Sequence, residues 1–379
     1  MSSELVSVSK KYGLREFEDL QTSTMTVMVY TNVVFEMTQI FSNVTMTEVD
    51  VPLTKKQRNV DKKKITAPYG AVISVQTKTK IRGVDLRKKK KHWCTICQPY
   101  KIIDDKEVKV ITVTEQLVPE KDSDVFAIMY YCSRCQKSYH PEEMKKINHF
   151  LNQLTAVLSI GKQPLLNIMM FKDNLKIAGC KNVDDAVEAI MVLWQDYIVD
   201  IPNAWHLKPG ATSPRFVFEV VMRNVDFKLG FPIERPALNC LMNGDHFRDK
   251  IFMSQYESTG HTNVNIKMFS RKPVGFQYDC LVMPIGKEGK PHFIKLGDIP
   301  YKSAKKKEKE AKEEKYITFI VFSSSEIILS GRYDLNMKEM YEFFVRTVFK
   351  NRKIVEEKLE LLDETKIRKI KNGATGLHT

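Results

Sequence analysis

Asn167–Trp194 reads NIMMFKDNLKIAGCKNVDDAVEAIMVLW, and Thr318–Phe344 reads TFIVFSSSEIILSGRYDLNMKEMYEFF. Each runs apolar strand, Phe, polar turn, apolar strand, Gly, polar link, amphipathic helix. A pattern that recurs in fixed order predicts one pseudo-symmetric body built from two related halves. The likeness extends upstream. Val29–Phe35 is VYTNVVF and Val221–Phe227 is VMRNVDF, which sets Asn32 against Asn224 and Phe35 against Phe227. A helix-like stretch follows each, at 36–44 and 234–242. The bland alternative is that any two β-β-α units look alike, since both periodicities are generic.

The expected fold is α+β: one curved antiparallel sheet from two repeats, helices on its convex face, and an inserted zinc ribbon. The expected segments are a loose N-terminus at 1–23 and a first repeat at 24–54 and 148–200. A basic insert at 55–91 and a zinc-ribbon insert at 92–147 interrupt that repeat. The second repeat spans 212–350 with a charged insertion at 287–315, and 351–379 is a C-terminal helix and tail.

Composition narrows the function classes. The chain has 379 residues and is 43% hydrophobic, enough for a sizeable core. No apolar run approaches the length that spans a bilayer, and no signal segment opens the chain. The net charge is +14, and Lys55–Lys91 alone carries 14 Lys or Arg against 2 acids, a net of +12. Such a block, ending in Lys88, Lys89, Lys90 and Lys91, is either a solvated arm or a polyanion-binding one. Within it, ITAPYGAVISVQTKTKIRGVDL alternates like a basic β-ribbon. The mixed run Lys302–Lys315 reads as a solvated loop or short surface helix with no specific function.

Seven cysteines occur. Four fall as Cys94-x-x-Cys97 and Cys132-x-x-Cys135, two knuckles that would supply four thiolates to one structural Zn²⁺. Disulfides are the alternative, and His92 or His140 could replace a cysteine. Cys180, Cys240 and Cys280 read as small buried hydrophobes. No carboxylate cluster, nucleophile with a base or phosphate-cradling Gly loop is visible. Ser258, His261 and Asn263 lack a partner constellation, so no enzymatic activity is expected.

The repeat resembles the TATA-box-binding protein family. The residues that carry the resemblance are IMMFKDNLKIAGCKNVDDA and FIVFSSSEIILSGRYDLNM, with TAVLSIGKQPLLNIMMF, FPIERPALNCLM and YESTGHTNVNIKM. It covers about 24–35 and 149–350. The zinc ribbon and basic insert resemble the divergent versions in large nucleocytoplasmic DNA viruses. The resemblance implies a transcription-initiation factor that lays its sheet on the minor groove of double-stranded DNA and wedges side chains between base steps. By position, Phe171 and Phe322 match one wedge of each pair, with ordinary strand-end packing as the alternative. Leu154 and His261 fall where the other two would be. Asn32 and Asn224 match the strand asparagines that meet the groove floor. Partners implied are an RNA polymerase or general transcription factors such as a transcription-factor-IIB-like protein, met by the helices near 184–197 and 338–349. The implied location is the host nucleus or a cytoplasmic viral factory, with packaging in the virion as a further option. His261 is a polar wedge, which favours the second reading: a structural or partner-binding protein of the transcription or genome-packaging machinery that does not bend DNA.

Overall fold

The structure, a computed structural model, describes residues 14–50, 65–86, 100–103, 106–109, 113–120, 124–139, 153–256, 263–285 and 289–357. The chain divides into a larger unit, Thr22–Arg223 with Lys272–Glu313, and a smaller one, Met1–Gln21 with Asn224–Arg271 and Glu314–Thr379. It is α+β, with antiparallel strand pairs and few helices.

In chain order the elements begin with β1 (Thr22–Thr31), β2 (Val33–Phe35) and α1 (Met37–Asn43). Then come β3 (Val72–Gln76), β4 (Lys80–Gly83), β5 (Tyr100–Ile103), β6 (Lys106–Lys109), β7 (Val113–Pro119), β8 (Val125–Cys132) and β9 (Lys137–Tyr139). Next are β10 (Leu154–Leu158), β11 (Leu166–Met170), β12 (Asn174–Cys180), α2 (Val183–Val192), β13 (Trp205–Leu207) and β14 (Arg215–Lys228). The rest is α3 (Arg235–Met242), β15 (Ile251–Tyr256), β16 (Asn263–Ser270), β17 (Tyr278–Val282), β18 (His292–Leu296), α4 (Ala304–Lys312), β19 (Lys315–Phe322), β20 (Glu326–Gly331), α5 (Asp334–Lys350) and α6 (Arg352–Val355).

The smaller unit has strand order β14-β20-β19-β16-β15, using the last residues of β14. In the larger unit the run β1-β12-β11-β10-β3 has the same order: first strand, fifth, fourth, third, second. It continues through β4 and β8 to β7. The first helix of each set follows its first strand, and the second follows its fifth. β3 therefore belongs to the sheet proper, although it lies inside the segment 55–91 read as an insert. Val72 and Val75 pack into the helix-side core, and Ile73 packs on the opposite face. β3 and β4 do form a hairpin, pairing Ser74 with Gly83.

The Phe-turn-strand motif has the same register in both units. Met170 pairs with Leu175 and Ile168 with Ile177; Val321 pairs with Ile327 and Phe319 with Leu329. One turn residue fewer in the first motif has a plain geometric form. The Phe171 amide bonds the Asn174 carbonyl across a short turn, whereas the Ser325 amide bonds the Phe322 carbonyl and Ser325 takes a left-handed φ of 69°. The glycine closing each motif serves a different need. Gly179 has φ +103°, a region side chains rarely adopt. At Gly331 a Cβ would lie 2.5 Å from Met337 Cγ, so only glycine lets α5 pass this close.

Each helix packs the face its spacing dictates. Asn182 caps α2 by accepting from the Asp185 amide, while the Asp185 carboxylate accepts from the Asn182 amide. Ala186, Ala189 and Ile190 then face Val27, Val29, Leu175 and Ile177. In the smaller unit Phe344 of α5 stacks on Phe319 at 4.5 Å between ring centres. Leu14, Phe17 and Leu20 pack against that core and the Tyr341 hydroxyl donates to the Arg15 carbonyl, so 14–21 is not loose. At the other end, α6 stops at Val355 and Glu356 bridges to Ile233; of the helix and tail expected at 351–379, residues 358–379 lie outside the described residues.

Candidate nucleic-acid interface

The alternation of buried residues separates a helix-covered face from the opposite face. In the smaller unit Val264, Ile266, Met268, Ile317, Phe319, Val321, Ile327 and Leu329 face the helices. Asn263, Asn265, Lys267 and Phe269 on β16 and Tyr316, Thr318, Ile320 and Phe322 on β19 take the other face. Among the described residues, no second apolar cluster of that unit covers this face.

The larger unit differs. On β1, Val27 and Val29 belong to the helix-side core, but Met28 and Tyr30 belong to a separate cluster with Val217, Tyr278, Cys280, Val282 and Ile299. The covering residues come from β17, β18 and the segment up to α4. Lys302 holds them in place. Its ammonium lies 2.8 Å from the Glu219 carboxylate and 2.6 Å from Glu310, with the Lys302 and Glu219 side chains only 5% and 2% exposed. It also sits 5.0 Å from the Tyr30 ring centre, and Lys306 sits 4.6 Å from it. A second cluster, Ala67, Ala71, Ile73 and Val157 with Val49, Ile65 and Leu86, covers the same face over β3 and β10. What stays partly open is a strip on β11 and β12 with Asn167, Met169, Phe171, Asn174, Lys176 and Ala178. The run Lys302–Lys315 does form the expected short surface helix, α4, but its first lysine is buried and closes a sheet face. The sequence held a signal for this, the lone acid in the apolar strand FVFEVV, whose burial requires a partner cation.

The expected contact residues fall as follows. Phe171 and Phe322 occupy matching strand ends, half-buried on the face away from the helices. Leu154 is corrected: it is fully buried in the helix-side core and pairs with Met170, the position that Val264 occupies against Val321. A core residue of that register cannot wedge into DNA. Asn32 is corrected as well. Its amide donates to the Ser213 carbonyl and accepts from the Arg215 amide at 2.8 Å each, which fixes the link after β1. Nor is it the counterpart of Asn224. Asn224 accepts from the Ser330 hydroxyl, and the residue matching Ser330 is Ala178, which pairs with Thr26 in mid-β1. Asn224 itself lies on the uncovered face, since Val225 points to the core. His261 and Lys88–Lys91 lie outside the described residues.

Of the four knuckle cysteines, Cys94 and Cys97 also lie outside the described residues. Cys132 ends β8, and a turn with Gln136 at φ 54° reverses the chain into β9, where Tyr139 places its hydroxyl 3.0 Å from Cys135 Sγ. Two thiols on one tight turn, with a hydroxyl beside one sulfur, suit a thiolate metal knuckle. Among the described residues alone, no group of three or more possible ligands assembles. Cys180 and Cys280 are buried as expected. Burial, reinforced for Cys180 by Asp185, pushes their thiols up to about 12 and about 11 respectively. Cys240 is exposed, contrary to expectation. In native protein near neutral pH a maleimide should label Cys240 quickly and leave Cys180 and Cys280 intact, read by mass spectrometry. Fast labelling of Cys180 would contradict its burial.

No protein-family model matches the chain, and no curated protein matches it. Among solved structures, it is similar to Methanococcus jannaschii TBP with a TM-score of 0.30 and 10% identity, over 52% of this chain and 82% of that one. No helix among the described residues is long and apolar enough to cross a membrane.

Proposed function

We propose that the chain is a DNA-binding transcription-initiation protein of the TATA-box-binding-protein type, its two units being two repeats of one ancestral half. The observation that carries this is the strand order shared by the two units, each with helices on one face of the sheet. Duplex DNA would meet the uncovered face of the smaller unit, with Asn224 and Phe322 among the contacts. Lys88–Lys91 would add phosphate contacts, and the helices would meet a polymerase or general factor. The inserted hairpin β7–β8 would be fixed by a structural Zn²⁺ on Cys94, Cys97, Cys132 and Cys135, as in the divergent viral type.

The test is duplex binding measured over a salt series. Deleting 55–91 would excise β3, so the informative variant replaces Lys88–Lys91 with Gln. For the zinc, metal analysis of purified protein should find one zinc per chain. Cys132→Ser should lose it and unfold the hairpin at a lower temperature than the rest; full occupancy in that variant would remove Cys132 from the site.

One observation favours the second reading, a partner-binding protein that does not bend DNA. The cover over β1 and β14 occupies a face that a groove-filling repeat needs free. Fluorescence energy transfer across an A·T-rich duplex discriminates: a kinked duplex supports the first reading, an unbent one the second.

A further inference from the structure

On the uncovered face of the smaller unit, at the strand ends opposite Phe322, three aromatic rings meet. Phe269 pairs directly with Tyr316 across β16 and β19. Phe252 joins them from β15, where the register shifts between Ile251 and Met253. That irregularity turns an aromatic side chain outward that strict alternation would not place there. Phe252 lies 4.6 Å from Tyr316 with the planes 30° apart, and 5.7 Å from Phe269. It is 48% exposed. Lys267, one step along the same face of β16, holds its ammonium 5.9 Å from the Tyr316 ring centre. Among the described residues no carboxylate lies within ion-pair distance of Lys267, and none lies within that distance of Arg271, the exposed residue that follows β16. A carboxylate does stand at the rim: Glu314 accepts from the Tyr316 hydroxyl.

Phe252, exposed and tilted 30° against Tyr316, presents a π-face, and Lys267 beside the Tyr316 ring is not neutralised by an acid among the described residues. A ligand that satisfies both must carry a flat ring and a negative charge close to it. An unpaired nucleotide has that chemistry, since every base offers a face and every linkage a phosphate. A paired base does not, because its faces are already stacked. We propose that Phe252, Phe269 and Tyr316, with Lys267, form a stacking site for an unpaired base of single-stranded nucleic acid. The proposal rests on the nucleic-acid reading above and gives that reading a second, single-stranded substrate.

The experiment compares the full chain with Phe252→Ala and Tyr316→Ala on a short oligothymidine and on a mixed-sequence duplex, by fluorescence anisotropy. Each alanine should weaken oligothymidine binding by about tenfold or more and leave duplex affinity unchanged. Phe252→Trp, which keeps a stacking face, should restore binding, and it guards against a fold defect in the alanine variant. Unchanged oligothymidine affinity in both alanine variants overturns the platform while leaving the duplex reading intact. Wild-type protein that binds neither probe removes both. Equal loss on both probes overturns the preference for unpaired bases. Loss of a protein partner with oligothymidine binding intact shows a protein-docking patch and also overturns the proposal.

Discussion

Lys302→Ala is expected to cost the larger unit roughly 3–5 kcal/mol, the range for removing one partner of a buried ion pair. The loss is large because of what remains. Glu219 is almost wholly inside, between Val217 and Val220 on a strand whose neighbours are apolar. Without the ammonium its carboxylate would be left charged in a poor solvent or forced to take up a proton. The Tyr30 ring would lose a cation 5.0 Å from its centre, and Glu310 its tie to the cover. Urea unfolding followed by tryptophan fluorescence reads the effect, because Trp194 and Trp205 both belong to this unit. A surface pair is the control. Lys295 and Asp279, in the same unit, are 2.6 Å apart, but their side chains are 58% and 40% exposed, so Lys295→Ala should cost about 1 kcal/mol or less. The double variant Lys302→Met with Glu219→Leu should recover most of the loss, since an apolar replacement leaves no orphan charge. A Lys302→Ala effect no larger than the surface control would mean that the cover is not packed as the structure has it.

The second large effect is electrostatic. If the block 55–91 holds phosphates, log affinity for duplex DNA falls steeply with log salt. Each phosphate contact removed flattens the slope by about 0.9. Lys88–Lys91→Gln should therefore lower the slope by about 3–4 if all four lysines contact phosphate, and should weaken binding most at low salt. An unchanged melting temperature in the same variant would show that the loss is electrostatic and not a fold defect. An unchanged slope would place the polyanion contacts elsewhere, and Lys267 and Lys176 on the sheet faces would be next to test.

Much of the architecture was readable from the chain because local chemistry and global packing agree in those places. The motif around Phe171 and Phe322 carries strict alternation and one obligatory glycine, and its first copy ends in a side-chain-capped helix. Nothing in its tertiary setting overrides those signals. Leu154 was misplaced because a strand's side-chain period is two, so a slip of one residue exchanges the helix side for the open side. Asn32 was paired with Asn224 by matching letters in VYTNVVF and VMRNVDF. The Ser330 contact of Asn224, taken with the registers of β12 and β20, instead sets Asn224 against the middle of β1 and leaves Asn32 to pin a link. VISVQ looks like part of a basic ribbon because its flanks are so basic, yet both of its faces are buried. The buried role of Lys302 was hidden by its neighbours. KSAKKKEKEAKEEK is solvated almost throughout, and only the contact with Glu219, 83 residues away, distinguishes its first lysine. Long-range pairs of this kind leave no periodic trace.

The asymmetry between the units gives the account its sharpest content. The larger unit spends most of its open face on its own covering segments, whereas among the described residues no apolar cluster covers the face of the smaller unit. Photocrosslinking of the full chain to a duplex carrying 5-iododeoxyuridine, mapped by mass spectrometry, tests this directly. The account predicts crosslinks on β16, β19 and β20, with Phe322 prominent, and none on Met28, Tyr30 or Val217. Crosslinks confined to β1 and the start of β14, with the smaller unit unmarked, would contradict it.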